Sequence, residues 1–232
     1  MARTLTRRQL DAAARYLAAR DPVLAPIVAE VGRCGFAARG DPFAAMVDII
    51  AAQQVSKYAA ESIRRRLRAR YGDPPDATAI ARARADRLRA CGLSRAKTLY
   101  VRGLARAVAD GTLDLGALHA LDDAAVLERL VALKGVGRWT AEIYLMFVLG
   151  RPDIFPVGDG ALRAVIREAY ALAADAPPQA YLAIAGTWAP FRSIASWYLY
   201  AWINRRRAAA REARARAGNG GGEAPVGAGC RP

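Results

Sequence analysis

The sequence predicts an all-α protein, and three observations carry that prediction. Apolar residues recur at i, i+3, i+4 and i+7 from Leu10 to Trp202. No segment of any length alternates apolar and polar residues with the period of two that a half-buried strand requires. Helix starters and stoppers punctuate the periodic stretches, which divide into about ten helices of ordinary length.

Thr6 is placed to cap a helix with Leu10, Ala13, Ala14 and Leu17 on its inner face, and Asp21-Pro22 opens another with Ile27, Val28 and Val31. A glycine-rich linker, Gly32 to Gly40, precedes Asp41-Pro42 and a strongly patterned helix carrying Phe43, Met46, Val47 and Ile50. That helix stops within Ala51-Ala52-Gln53-Gln54-Val55-Ser56. The next one buries Ala59, Ile63 and Leu67 and shows Arg64, Arg65, Arg66, Arg68 and Arg70, a charge run that also suits an ordinary solvated face. Gly72-Asp73-Pro74-Pro75 ends it. A further helix reaches Cys91-Gly92, Ser94 caps one with Tyr100, Leu104, Ala107 and Val108 inward, and Asp122 marks the start of another.

The stretch from Leu130 to Arg163 organises the rest. Val126, Leu127, Leu130 and Leu133 lie on one face of its first helix, and Trp139, Ile143, Met146 and Phe147 on one face of its second. Between them stands Lys134-Gly135-Val136-Gly137. Two glycines about one apolar residue let the chain turn tightly and bring its N–H groups close to a partner. A phosphate suits such a place, since the following helix adds unpaired amides and a positive dipole end, and Lys134 and Arg138 add full charges. Standing alone, the same turn would read as a plain αα-corner. Leu162, Val165, Ile166 and Ala169 then repeat the helical spacing, Pro177-Pro178 interrupts it, and Phe191, Ile194, Ala195, Tyr198, Leu199 and Trp202 line a long final helix.

The chain has 232 residues, 54% of them hydrophobic, which supports a folded core rather than disorder. Its formal charge is +14, of which residues 205–232 supply +5 through seven arginines and two glutamates. A body that basic wants a polyanion, nucleic acid before an acidic membrane surface. No apolar run approaches the ~18 residues of a spanning helix, and the N-terminus lacks a secretory signal's apolar core. A cytoplasmic protein is expected, and nothing points to a stable oligomer, so a monomer is expected too. Cys34, Cys91 and Cys230 are odd in number, and the lone His119 has no ligand partners nearby, so neither a disulfide framework nor a zinc site is supported.

LKGVGRWTA followed about twenty residues later by FPVGD, with AAQQVSKYAA upstream, resembles the helix-hairpin-helix DNA glycosylase superfamily over about residues 10–203. The resemblance puts the family's catalytic carboxylate on Asp159, which is equally placed to cap the helix carrying Leu162 and Val165. Both roles are compatible, because a carboxylate near a helix N-terminus is favoured in its ionised form. Relatives that also cut the DNA backbone carry a lysine two residues after the hairpin's second glycine. Here that position is Trp139, which implies hydrolysis without lyase chemistry. A tryptophan there, with WAPFRSIASWYLYAW, is similar to the 3-methyladenine DNA glycosylase II branch, although Tyr200 stands where that branch more often has tryptophan.

The resemblance implies excision of alkylated, cationic purines from damaged double-stranded DNA in base excision repair. Trp139, Tyr144, Tyr200 and Trp202 are the candidates for the electron-rich base pocket, although packing in the core is the commoner fate of any one of them. By the same resemblance the residue that fills the gap left by the flipped base is Gln53 or Gln54, with Gln54 favoured. Ser56 contacts a phosphate or caps a helix, and Gly135, Val136 and Gly137 with Lys134 and Arg138 hold the backbone near the lesion. No cofactor is implied beyond a monovalent cation, sodium or potassium, on the main-chain carbonyls of Val131, Leu133 and Val136. The expected organisation is a helical barrel over 42–150, a second lobe joining 1–41 to 151–207, and a disordered basic tail over 208–232, with DNA across the cleft between the lobes. The rival readings are a glycosylase for a neutral lesion, hypoxanthine or 8-oxoguanine, and a non-catalytic module that binds damaged DNA.

Overall fold

The structure is a computed structural model, and it describes residues 5–38 and 40–219. These residues form twelve α-helices and one short 3-10 turn, Ala117–Ala120, with no strand among the described residues. The helices are α1 (Arg7–Arg20), α2 (Leu24–Val31), α3 (Pro42–Ala52), α4 (Lys57–Tyr71), α5 (Ala77–Arg82) and α6 (Ala85–Ala90). They continue with α7 (Arg95–Ala109), α8 (Asp123–Val131), α9 (Arg138–Phe147), α10 (Gly160–Ala169), α11 (Pro178–Gly186) and α12 (Arg192–Asn219).

Short polar side chains start most of them. Thr6 forms a reciprocal capping box with Gln9, while Asp41, Ser56, Ser94 and Asp122 each accept a hydrogen bond from the backbone N–H three residues on. Ser56 is therefore a helix cap. Asp21 lies two residues ahead of the cap position that the Asp-Pro pattern suggests for it: it receives the N–H groups of Val23 and Leu24, and α2 begins at Leu24.

Two core clusters divide the helices. Met46, Val47, Ile50, Leu67, Ile80, Leu88, Val101, Leu118, Val126 and Leu130 pack with the inner face of α9 in one. Leu17, Leu24, Ile166, Tyr181, Tyr198 and Leu199, from the first two and last three helices, fill the other with Trp188 from the turn before α12. Each fully buried aliphatic side chain contributes about 1.5–3 kcal/mol by leaving water, so truncating Ile50 or Leu199 would weaken one cluster without touching the other.

The seam between the clusters runs along α9 and the loop after it. Ala141, Tyr144, Leu145 and Val148 face the first cluster, while Phe147 packs against the second. Of the expected inner stripe of Trp139, Ile143, Met146 and Phe147 only Met146 is fully buried, and the side most deeply covered carries Ala141, Tyr144 and Leu145 instead, because a helix packed on both flanks is apolar nearly all round and its stripe does not single out the inner face. Arg192, opening α12, grips Asp153 through two hydrogen bonds of 2.7 Å, and Ser193 bonds both Pro152 O and the backbone of Ile154. These contacts pin the loop that delivers Asp159.

One expectation is overturned here. Residues 208–219 are helical, continuing α12, where a disordered tail was expected from 208. Alanine and arginine are strong helix formers, and the ordered first half of α12 removes the cost of nucleation for the rest. The remainder of that tail, 220–232, lies outside the described residues.

Candidate active site and nucleic-acid interface

Asp159 stands at the seam as the N-cap of α10, with only 7% of its surface exposed. Its Oδ1 accepts the Leu162 N–H at 2.7 Å, and its Oδ2 accepts the indole Nε1–H of Trp139, also at 2.7 Å. Each oxygen keeps further lone-pair capacity. Trp139, the second residue of α9, therefore orients the carboxylate as well as lying beside it, a role that no pattern in the sequence disclosed.

Tyr200 completes the group. Its hydroxyl is covered, has no hydrogen-bond partner, and lies close to the Asp159 carboxylate. Burial, then the neighbouring negative charge, push the phenol far above its ordinary pKa, so it stays neutral. Phe147 and Phe36 extend the row, with ring centroids 6.2 Å from Tyr200 to Phe147 and 6.1 Å from Phe147 to Phe36.

The other two aromatic candidates lie elsewhere. Tyr144 is fully buried in the first core cluster, whereas Phe147, three residues on, packs against the second. Trp202 follows Tyr200 by two residues, about 200° around the helix. Its indole N–H donates to Glu30 at 2.9 Å on α2, and Arg206 covers its ring at 4.5 Å. Neither shares the Asp159 site.

The hairpin lies where α8 turns into α9. Gly135 has φ +88°, and a Cβ there would come within 2.2 Å of the Tyr100 ring, so the position tolerates glycine alone. Gly137 differs: its φ is −86° and nothing lies within 4 Å of where a Cβ would be, which leaves the first amides of α9 open to close approach. Lys134 is exposed, and Val136 is buried. Arg138 bonds Glu142 at 2.8 Å, so its charge is partly committed to a buried carboxylate that burial pushes upward in pKa. The carbonyl of Leu133 accepts the Val136 N–H at 3.0 Å, which closes the turn and leaves that oxygen a second lone pair.

Across from the hairpin is the α3–α4 turn. The Gln53 side chain donates to Gly135 O and to Thr140 Oγ1, each at 3.1 Å, so it ties the turn to the hairpin. Gln54 is exposed at φ +52°, an uncommon backbone for a non-glycine residue. Beneath both, Lys97 Nζ donates to Ala51 O at 2.8 Å and Gln53 O at 2.6 Å, and burial lowers its pKa. Lys97, Tyr100 and Thr140 are neighbours of the turn and hairpin that the sequence did not reveal, since each sits on an otherwise ordinary helix. The turn and the hairpin enclose an open depression of about 620 Å³ lined by Gln53, Gln54, Lys97, Tyr100 and residues 131–137.

With that geometry in place, the relatives are informative. The family profile described as HhH-GPD superfamily base excision DNA repair protein matches residues 47–190. DNA-3-methyladenine glycosylase 1 of Schizosaccharomyces pombe is 31% identical over 163 residues, 69% of this chain and 72% of that protein. The putative DNA-3-methyladenine glycosylase YfjP of Bacillus subtilis is 35% identical over 113 residues, but this match spans only 39% of that protein's length. Among solved structures, S. pombe Mag1 in complex with abasic DNA aligns with TM-score 0.73 at 28% identity, covering 82% of this chain and 94% of that one. A DNA-3-methyladenine glycosidase from Bacillus halodurans aligns at 0.69 and 30%, covering 81% and 87%. Likeness to a Clostridium acetobutylicum 8-oxoguanine glycosylase/lyase, at 18% identity and TM-score 0.73, concerns the fold alone. The chain belongs to the HhH-GPD superfamily of base excision DNA repair proteins.

Proposed function

We propose that this protein is a monofunctional DNA glycosylase of the cytoplasm that acts as a monomer and excises alkylated purines of the 3-methyladenine type from double-stranded DNA. The observation that carries the reading is Asp159 held at the seam by the Trp139 indole, next to a hairpin whose amides are open. DNA lies across the seam. Lys134 and the amides around Gly137 hold a backbone phosphate, with Arg138 adding what charge Glu142 leaves it. A monovalent cation on the carbonyls of Val131, Leu133 and Val136 would add positive potential toward that phosphate. Gln54 enters the gap left by the flipped base, and Gln53 and Lys97 keep its turn in place.

Chemistry then needs little. A purine methylated on a ring nitrogen is cationic and leaves as a neutral base, taking the electron pair of the C1′–N bond. Positive charge builds on the sugar, and the Asp159 carboxylate stabilises it. Water adds to C1′ and its proton passes by way of the carboxylate to solvent, leaving an abasic site. Trp139 stands where a lyase would need an amine, and its N–H is committed to Asp159. Trp139 and Tyr200 face the cationic base, contributing roughly 0.5–2 kcal/mol per ring.

The test is a panel of duplexes, each with one lesion, assayed for released base and for strand scission without alkali. Release of 3-methyladenine with an intact strand is expected. Scission without alkali would contradict the assignment of Trp139. Preferential release of hypoxanthine or 8-oxoguanine would move the substrate to neutral lesions, and binding without release of any base would make the protein a recognition module.

A further inference from the structure

Beyond its packed portion, α12 carries Arg205, Arg206, Arg207, Arg211 and Arg214 against a single acid, Glu212, over residues 205–214. The arginines divide by what they touch. Arg205 Nη1 donates to the Glu30 carbonyl at 2.8 Å, and Arg206 pairs with Glu168 at 2.7 Å while stacking on Trp202, so these two fasten the helix to the second lobe. Arg207, Arg211 and Arg214 fall at i, i+4 and i+7 on one stripe, and all three are exposed.

The stripe has a definite address. Arg211 Nη1 donates to the Tyr58 hydroxyl at 3.2 Å, across 153 residues of sequence. Tyr58 is 70% exposed, lies in the first turn of α4, and follows the Gln54 turn by four residues; Val55 beside it is also exposed, and Lys57 adds a positive charge. The helix thus leaves the second lobe and comes down beside the turn on the first. One hydrogen bond to a phenol leaves most of the Arg211 donors unused.

We infer that the C-terminal extension of α12 is a second DNA-backbone contact, in which Arg207, Arg211 and Arg214 bind phosphates flanking the lesion on the Gln54 side of the cleft. This rests on the proposed placement of DNA across the seam. Such a contact positions the duplex without reading its sequence or the damaged base.

The dependence of affinity on salt tests it directly, using the full chain and undamaged duplex. Each phosphate contact contributes about 0.9 to the slope of log K against log salt. Arg211→Gln should lower the slope by about one, and the triple substitution of Arg207, Arg211 and Arg214 by Gln by roughly two to three. Arg206→Gln removes the same charge from the body-facing side and should leave the slope unchanged. The inference is overturned if the triple variant keeps the wild-type slope, if it binds more tightly, or if Arg206→Gln is as damaging as Arg211→Gln. Should the wild type release no base yet show the arginine-dependent slope, the extension is a DNA contact and the assignment of the enzyme is what fails.

Discussion

Asp21 and Asp159 make an instructive pair, because the molecule uses the same three residue types twice. Each aspartate sits at the start of a helix, takes a backbone N–H on Oδ1 and an indole N–H on Oδ2, and has a tyrosine at hand. Asp21 is saturated: Val23 N–H and Leu24 N–H on one oxygen, Trp188 Nε1–H at 2.8 Å and Tyr170 O–H at 2.6 Å on the other. Asp159 accepts two well-formed hydrogen bonds, and the Tyr200 hydroxyl lies against its carboxylate outside good hydrogen-bond geometry. A carboxylate with every acceptor site filled inside one core is a joint. One with acceptor capacity left, placed between two cores, has something to offer a substrate.

Substitutions can break that contrast, and the largest expected effect is on stability at the joint. Asp21→Ala leaves the Trp188 N–H and Tyr170 O–H buried without partners, at about 1–3 kcal/mol each. Chemical denaturation should show a loss of about 2–5 kcal/mol, with the excision rate per folded molecule unchanged. Trp139→Phe should affect both. Removing one hydrogen bond to a charged group costs about 1.5–3 kcal/mol of stability, and without that orienting bond base release under single-turnover conditions should fall roughly 10- to 100-fold, a loss of about 1.4–2.7 kcal/mol in the barrier.

The tyrosines give the smallest effect. Burial raises the pKa of Tyr200 and of Tyr170 above the phenol value of 10.0 that the unfolded chain would show. The stability each neutral phenol supplies is therefore complete below pH 10 and falls as the pH rises past it, by at most about 1.4 kcal/mol per pH unit for one proton. Either tyrosine changed to Phe should flatten the alkaline limb of a stability profile. Only Tyr200→Phe should also alter base release.

Much of this was legible in the sequence, and what was not has physical reasons. Capping side chains and 3.6-residue periodicity act locally, so Thr6, Asp41, Ser94, Asp122 and the hairpin glycines announced their helices. Asp159 stands out because a helix cap, which the structure shows, and a family motif coincide there. Aromatic positions were harder: Tyr144 and Phe147 lie three residues apart on one helix, yet face different cores, and periodicity cannot say which flank of an all-apolar helix opens on a site. Trp202 was separated from Tyr200 by simple helical geometry, but its tie to Glu30 needs tertiary structure. Lys97 supports the turn through backbone carbonyls far away in sequence, an interaction that leaves no local pattern. Composition alone misjudged residues 208–219, where an Ala-Arg run without an apolar stripe still propagates a helix already begun.

The most direct measurement compares Asp159→Asn with Asp21→Asn for release of 3-methyladenine from a methylated duplex, each assayed as folded protein of known DNA affinity. Asparagine keeps one oxygen to cap the helix, but its amide nitrogen cannot accept the Trp139 N–H, so Asp159→Asn should fold with a lowered melting temperature and bind DNA as wild type does while releasing base about 10²- to 10⁴-fold more slowly. Asp21→Asn should release it at the wild-type rate. Wild-type release by Asp159→Asn, or an equal loss in both variants, would contradict the view that the unsaturated carboxylate at the seam carries the chemistry.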